Sequence, residues 1–296
     1  MTVLRHTSFL LLSIALLAAC SDNESSSGAG SVRVAVSGEA ASRGGYPVGS
    51  GDDEIAFTDG WTLEMRKVLV SFTDFELRGT DRANADVEAG PVVADLHLGE
   101  PELWTFEEVP ARRWDRVGYR YAPPTADSRA ANDVSDADIE RMIDGGHSLL
   151  IDAVAMKGDQ EIAIEYGFDM EILHTECVNG QDETDGLVVP TNGTADVQIT
   201  VHLDHLFFDT YANDDADLRF DAMAAVAMDE KVTLDDLAAQ HNLSDLVNAD
   251  GEPLDVAYDP GSAFDPVPED LREYVKAAAT TTGHFNGEGH CKYELQ

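Results

Sequence analysis

The stretch "WTLEMRKVLVSFTDFELRG", residues 61–79, gives the most direct indication of the fold class. Apolar residues occupy every second position over 68–72, which is the period of a β-strand, and the valines and aromatics there favour strands. The alternation resumes one position out of phase at Phe75 and Leu77, which predicts a bulge or bend near residues 73–74.

The segments on both sides carry similar strand patterns between short turns. One helix is expected over 133–146, with Ser135 as its N-cap and glycines at its end. Strands separated by short turns predict an antiparallel β-sandwich, so the fold class is mainly β. Single strands are predicted at 31–38, 91–99, 102–110 and 112–124, and strand pairs at 147–177 and at 187–201 with a turn at Asn192–Gly193.

The pattern becomes helical after residue 207. The segments "LRFDAMAAVA", "TLDDLAAQ" and "PEDLREYVKAAATTTG" have helical spacing and propensity. We therefore expect a single β-sandwich domain over 32–296 that includes a helical C-terminal extension over 208–296.

The N-terminal segment predicts the location. Residues 1–20 contain an apolar run that is too short to span a bilayer and is typical of a signal peptide. Its ending, "LAAC", resembles the lipobox of bacterial lipoproteins, which implies a lipidated Cys20; a plain secretory signal is the alternative. Ser21 in place of an aspartate implies the outer membrane, on either its periplasmic or its outer face. The Ser/Gly-rich stretch 21–31 is predicted to be a flexible tether.

Composition and motif content argue against two classes of function. The chain has 19 basic and 57 acidic residues, a net charge of −38, and such a surface repels nucleic acid. The sequence contains no G-x-S-x-G, P-loop or H-E-x-x-H motif, and no cysteine lies in a recognisable nucleophile context. We therefore expect a protein that is not an enzyme and does not bind nucleic acid.

Three cysteines occur, and two of them follow Cys20. In an oxidising compartment Cys177 and Cys291 most simply form a disulfide. The bridge would tie the C-terminus to the middle of the sheet and stabilise the fold by about 4–5 kcal/mol in the chain-entropy model. Two thiolate metal ligands are the alternative.

Several histidines fall in compact local contexts and predict a transition-metal site. A Cys177–Cys291 disulfide would bring His174 close to His290, and neutral imidazoles suit copper or zinc. Nearby carboxylates could orient the rings. The candidate ligands are His174, His202, His205, His284 and His290, with Asp204, Asp209 and Glu288 as candidate supporting carboxylates.

The segment "TVHLDHLFFD", residues 200–209, sets a geometric condition for this site. A continuous strand would send His202 and His205 to opposite faces, because side chains alternate with period two. Both can join one site only if the strand ends at Val201 or His202 and passes into a turn, where residues three apart are neighbours.

Calcium is a second candidate ion. The segment "AMDEKVTLDDL" resembles the exit half of an EF-hand loop, but the D-x-D-x-D-G core is absent. A helix start capped by Thr233 would explain the same residues.

Three motifs resemble the MbnP-like bacterial lipoproteins over about residues 32–207: "MRKVLVSFTDFELRG", "TFEEVPARRWDRVGYRY" and "FDMEILHTEC". The resemblance implies copper binding in the cell envelope beside a di-haem partner, with His174 as a ligand and Cys177 in a disulfide. The family's usual four cysteines are reduced here to Cys177 and Cys291. The competing interpretation is a structural, adhesion or interaction module without a metal, or one stabilised by calcium.

Overall fold

The computed structural model describes residues 28–51, 54–85, 87–248 and 250–295. The predicted signal peptide, the lipidation residue Cys20 and most of the predicted tether lie outside the described residues. The first strand begins at Ala29 and pairs with two other strands, so the last residues of the predicted tether belong to the sheet.

The described part of the chain contains fifteen strands and four α-helices. The strands are β1 (Ala29–Ser37), β2 (Thr62–Arg78), β3 (Val92–Asp95), β4 (Glu102–Pro110), β5 (Arg113–Trp114), β6 (Arg116–Tyr121), β7 (Arg129–Ala130), β8 (Leu149–Lys157), β9 (Gln160–Phe168), β10 (Ile172–Thr175), β11 (Leu187–Val188), β12 (Thr194–Val201), β13 (Lys231–Thr233), β14 (Gly283–Phe285) and β15 (Lys292–Leu295). The helices are α1 (Glu39–Gly44), α2 (Asp136–Gly145), α3 (Asp221–Ala224) and α4 (Leu271–Ala279). Three 3-10 turns cover Leu96–Leu98, Asp204–Phe207 and Asp235–Ala239.

Two main sheets confirm the mainly β sandwich. The smaller sheet has the order β14-β12-β1-β4, and the larger runs β13-β9-β8-β2-β6-β10-β15, with β3 and β7 joined beside β2. Most neighbours are antiparallel, as predicted, but β1–β12, β9–β13 and β3–β7 are parallel. These parallel pairs join strands that are far apart in sequence. Turn motifs act locally, so they cannot predict such pairs.

The long strand β2 organises the larger sheet. Its first half pairs with β8 and its second half with β6, and the register shifts between Phe72 and Phe75. This irregularity lies at the predicted bulge near residues 73–74. The register shift occurs there because the apolar side chains on both sides of it must all reach the core.

The main core lies between the two sheets. Inward-facing valines of β1 and residues Ile199 and Val201 of β12 are fully buried, in one cluster with Val68, Val70 and other residues of the larger sheet. The other face of β2 is covered as well, because Leu69 packs with Met142 of α2 in a second cluster. Helix α2 matches the prediction: Ser135 and Asp138 form a capping box, and Gly146 ends the helix in the left-handed region at φ 65°.

The strand pair predicted over 187–201 is wrong. The turn is present, with Asn192 at φ 56°, but β11 pairs with β5 and β12 pairs with β1. A turn signal sets a local reversal of the chain, whereas the hydrogen-bonding partners of each strand depend on the rest of the sheet.

The region 208–296 is less helical than predicted. Of the three predicted helices, only α4 has nine residues; α3 has four, and the middle segment forms a 3-10 turn. The region also supplies β13 and β15 to the larger sheet and β14 to the smaller one. None of the described helices is long and apolar enough to cross a membrane.

The disulfide between Cys177 and Cys291 is formed as predicted, across 114 residues of sequence. Beside it, β15 pairs with β10, so that Tyr293 lies opposite His174. In the chain-entropy model, closing a loop of this length stabilises the fold by about 5 kcal/mol.

Candidate metal centre

Strand β12, which precedes His202 and His205, ends where the metal hypothesis requires. Strand β12 stops at Val201, His202 follows, and Asp204–Phe207 form a 3-10 turn that carries His205. The backbone N–H of His202 still donates to Thr282 O, at 2.9 Å. The two imidazole centroids are therefore 5.6 Å apart, although an unbroken strand would have separated the rings.

Strand β14 brings in the third candidate. In the antiparallel β12–β14 pair, His284 lies opposite Thr200. Because side chains alternate along a strand, Thr200 and His202 point away from the core that buries Ile199 and Val201. The rings of His284 and His202 meet with centroids 4.3 Å apart.

The three rings form a compact cluster. The centroids of His205 and His284 are 5.3 Å apart, which closes a triangle with the 5.6 and 4.3 Å separations. A point equidistant from the three centroids lies about 3 Å from each, roughly the sum of a Zn–N bond near 2.0–2.1 Å and the distance from nitrogen to ring centre.

Two nitrogen atoms of this cluster are buried and have no hydrogen-bond partner among the described residues: His202 Nε2 and His284 Nδ1. Buried polar atoms are almost always paired, so an orphaned pair in one place requires an explanation. In His205, the Nδ1 atom lies 2.8 Å from Thr281 Oγ1, which leaves Nε2 as the nitrogen without a side-chain partner.

Carboxylates surround His202. Its Nδ1 lies 4.0 Å from oxygens of both Glu39 and Asp204, and its Nε2 lies 4.0 Å from Glu288. The ligand atoms form two overlapping groups within 4.8 Å: His202 with Asp204 and His205, and His202 with His284 and Glu288. Donor atoms in a tetrahedral zinc site are only about 3.4 Å apart for bonds near 2.1 Å, so an ion would draw these groups together.

Two of the three imidazoles, His205 and His284, are held in the neutral form. Burial, together with the smaller effect of the neighbouring imidazoles, lowers the pKa of His205 to about 3 and that of His284 to about 4. Burial also raises the pKa of Asp204. Around neutral pH, His205 and His284 therefore present lone pairs, which is the form that binds a metal.

The remaining two predicted ligands lie at different distances from this cluster. His290 is exposed, adjoins the disulfide, and has its ring centroid 5.1 Å from that of His284. His174 is buried and stacks on Tyr119, with centroids 4.6 Å apart and an interplanar angle of 8°. It belongs to neither ligand group, so the predicted set of five divides into a core of three, one rim residue and one separate residue.

A cavity of about 520 Å³ gives access to the cluster. Its lining includes His174, His205, His284, His290, Tyr211 and Asp214. Burial lowers the pKa of His174 to about 3, and its Nδ1 has no hydrogen-bond partner in the described residues.

Sequence reasoning missed some neighbours and misplaced others. Glu39 and Thr281 carry no local signal, because they come from α1 and from the end of α4 and meet the histidines only in the fold. Asp209, predicted to support the site, instead pairs with Arg219 at 2.7 Å.

The segments considered for calcium do not form a set of converging ligands in the described part of the chain. Within 213–237, a range that the structure describes throughout, no three carboxylates or imidazoles converge. The Thr233 hydroxyl binds Asp236 at 2.6 Å, and the N-cap of the following 3-10 turn is Leu234, so the predicted Thr233 cap is wrong.

Comparison with known proteins identifies no family. No family model matches the sequence, and no curated protein matches it. Among solved structures, MbnP from Methylosinus trichosporium is similar, with a TM-score of 0.28 and 11% sequence identity. That similarity covers 60% of this chain and 77% of the other. The likeness is loose.

Proposed function

We propose that the protein binds a transition-metal ion, copper before zinc, at the cluster of His202, His205 and His284. The observation that carries this proposal is the convergence of three imidazoles, two of which have a buried nitrogen with no hydrogen-bond partner in the part of the chain that the structure describes. The protein acts as a binding protein and not as an enzyme.

The donor set favours this class of metal over calcium or magnesium. Imidazole nitrogen suits copper and zinc, whereas calcium and magnesium take oxygen ligands. Copper ranks first because Cu²⁺ has the highest affinity in the Irving–Williams order, and nitrogen ligands therefore bind it more tightly than they bind Zn²⁺. Asp204 and Glu288, one in each ligand group, offset the ion's charge or complete its coordination.

Metal titration of the chain without its first 20 residues tests the proposal. Each of His202→Ala and His284→Ala is expected to abolish stoichiometric binding of Cu²⁺ or Zn²⁺ at micromolar concentration. The matched control is His241→Ala, which removes an exposed imidazole that lies in neither ligand group. A wild-type protein that binds neither ion, or a cluster variant that binds like His241→Ala, would overturn the proposal.

We also propose that the protein is held at the outer membrane by lipid on Cys20. The support comes from the sequence alone: the short apolar leader, its "LAAC" ending and the tether that follows. Labelling with a radioactive fatty acid in a bacterial host tests the anchor. Cys20→Ala is expected to lose the label, and a wild-type protein that takes up none would contradict the proposal.

A further inference from the structure

Three consecutive threonines follow helix α4, and the hydroxyl of each bonds back to the last turn of the chain before it. The hydroxyl groups of Thr280, Thr281 and Thr282 lie 2.7, 2.8 and 2.9 Å from the carbonyl oxygen of the residue three positions earlier. A carbonyl oxygen only accepts, and a threonine hydroxyl has a single proton. Each hydroxyl that donates to the helix therefore has only lone pairs left for any other neighbour.

At Thr281 those lone pairs meet a candidate metal ligand. His205 Nδ1 lies 2.8 Å from Thr281 Oγ1, whose own proton is directed to Ala278 O. The nitrogen must then be the donor. In the reverse arrangement Thr281 would donate to Nδ1, one of the two hydrogen bonds would be lost, and the ring proton would move to Nε2.

The surrounding contacts hold the ring in this orientation. The Tyr211 hydroxyl donates to the carbonyl oxygen of His205 at 2.7 Å and lies 3.4 Å from Thr281 Oγ1. The ring of Phe208 packs against the His205 ring, with centroids 5.1 Å apart. Three contacts therefore fix the orientation of the imidazole: one to the His205 backbone, one to the face of the ring and one to its Nδ1 atom.

We propose that Thr281 is a positioning residue that sets the tautomer of His205. The Nδ1 atom carries the proton, and Nε2 keeps its lone pair for the ion. The tautomer assignment stands on the hydrogen bonds alone, whereas its role in metal binding rests on the proposed function. A partner on the second nitrogen commonly fixes both the tautomer and the orientation of a metal-binding histidine.

Nuclear magnetic resonance of the metal-free protein tests the tautomer directly. In protein labelled with ¹⁵N-histidine, a long-range ¹H–¹⁵N correlation spectrum distinguishes the protonated ring nitrogen from the one with a lone pair. His205→Ala identifies the His205 signals. We expect Nδ1–H to predominate in the wild type, Thr281→Val to shift the population toward Nε2–H, and Thr281→Ser to restore the wild-type pattern.

Thr280→Val is the matched control, because it removes the same kind of hydroxyl bond to the helix without a hydrogen bond to His205. It should leave the His205 signals unchanged. A wild-type spectrum dominated by Nε2–H, or a Thr281→Val spectrum identical to that of the wild type, would overturn the assignment.

A Zn²⁺ titration of the same variants separates the two proposals. Thr281→Val should weaken Zn²⁺ binding by about 10–100-fold, and Thr281→Ser should bind like the wild type. If the wild type binds no metal while the spectra behave as expected, the proposed function fails and the tautomer assignment stands. If the wild type binds metal but Thr281→Val changes neither affinity nor spectrum, the role of Thr281 fails alone.

Discussion

Acidification of the metal-free protein should destabilise it through His174. Burial lowers the folded-state pKa of this imidazole to about 3, whereas the unfolded chain has the ordinary value near 6.5. Between those two pH values the unfolded state binds a proton that the folded state does not, so stability falls as the pH falls. Above about pH 6.5 the contribution is complete.

The magnitude follows from the two pKa values. At pH 5 the unfolded-state imidazole has passed its pKa by about 1.5 units, which corresponds to roughly 2 kcal/mol lost relative to neutral pH. His174 is only 2% exposed, and its Nδ1 has no hydrogen-bond partner among the described residues, so little solvent or local hydrogen bonding reduces this effect.

Urea unfolding at pH 7, 6 and 5 in the presence of a chelator, followed by tryptophan fluorescence, measures the effect. We expect His174→Leu to lose about 2 kcal/mol less than the wild type between pH 7 and 5. Carboxylates titrate in both proteins and cancel in that difference. His241→Ala, which replaces an exposed histidine, is the control for the substitution itself. Equal pH slopes in His174→Leu and the wild type would refute the reasoning.

Further predictions concern metal linkage, the disulfide and a helix cap. Zn²⁺ at 100 times its dissociation constant should raise the free energy of unfolding by about 2.7 kcal/mol, and His202→Ala should remove this shift in a chelator-controlled thermal scan. Replacing Cys177 and Cys291 together by alanine should cost up to about 5 kcal/mol in urea unfolding, and no loss would contradict the loop-closure reasoning. Ser135→Ala should cost about 1 kcal/mol by removing the cap of α2, whereas Ser135→Thr should cost less.

The local features of the fold were predictable because short-range physics determines them. The bulge near residues 73–74, the Ser135 cap and the Asn192–Gly193 turn each depend on a few neighbouring residues. The Cys177–Cys291 disulfide was predictable for a different reason, because only two cysteines remained to pair. The partner of each strand was harder to predict, since neither strand's sequence indicates that β1 pairs with β12 in parallel.

The candidate site also has features that the sequence predicts and others that depend on the fold. The sequence indicated its chemistry, because imidazoles in compact contexts suit a transition metal, and it identified the condition that β12 must end at Val201 or His202. It could not show that His284 lies opposite Thr200, or that His174 stacks on Tyr119 and belongs to neither ligand group. Those placements depend on pairing between β12 and β14 and on burial of the β6–β10 region, which are long-range events.

By itself, then, the sequence determined the strand-rich class, the local turns and caps, the acidic charge and the set of residues able to bind a metal. Only the tertiary structure decided which of them meet. Strand β14 comes from the far end of the chain and completes the smaller sheet, and the end of α4 places Thr281 on His205. Contacts between segments more than 70 residues apart depend on how the whole core closes, and no local pattern of side chains records that choice.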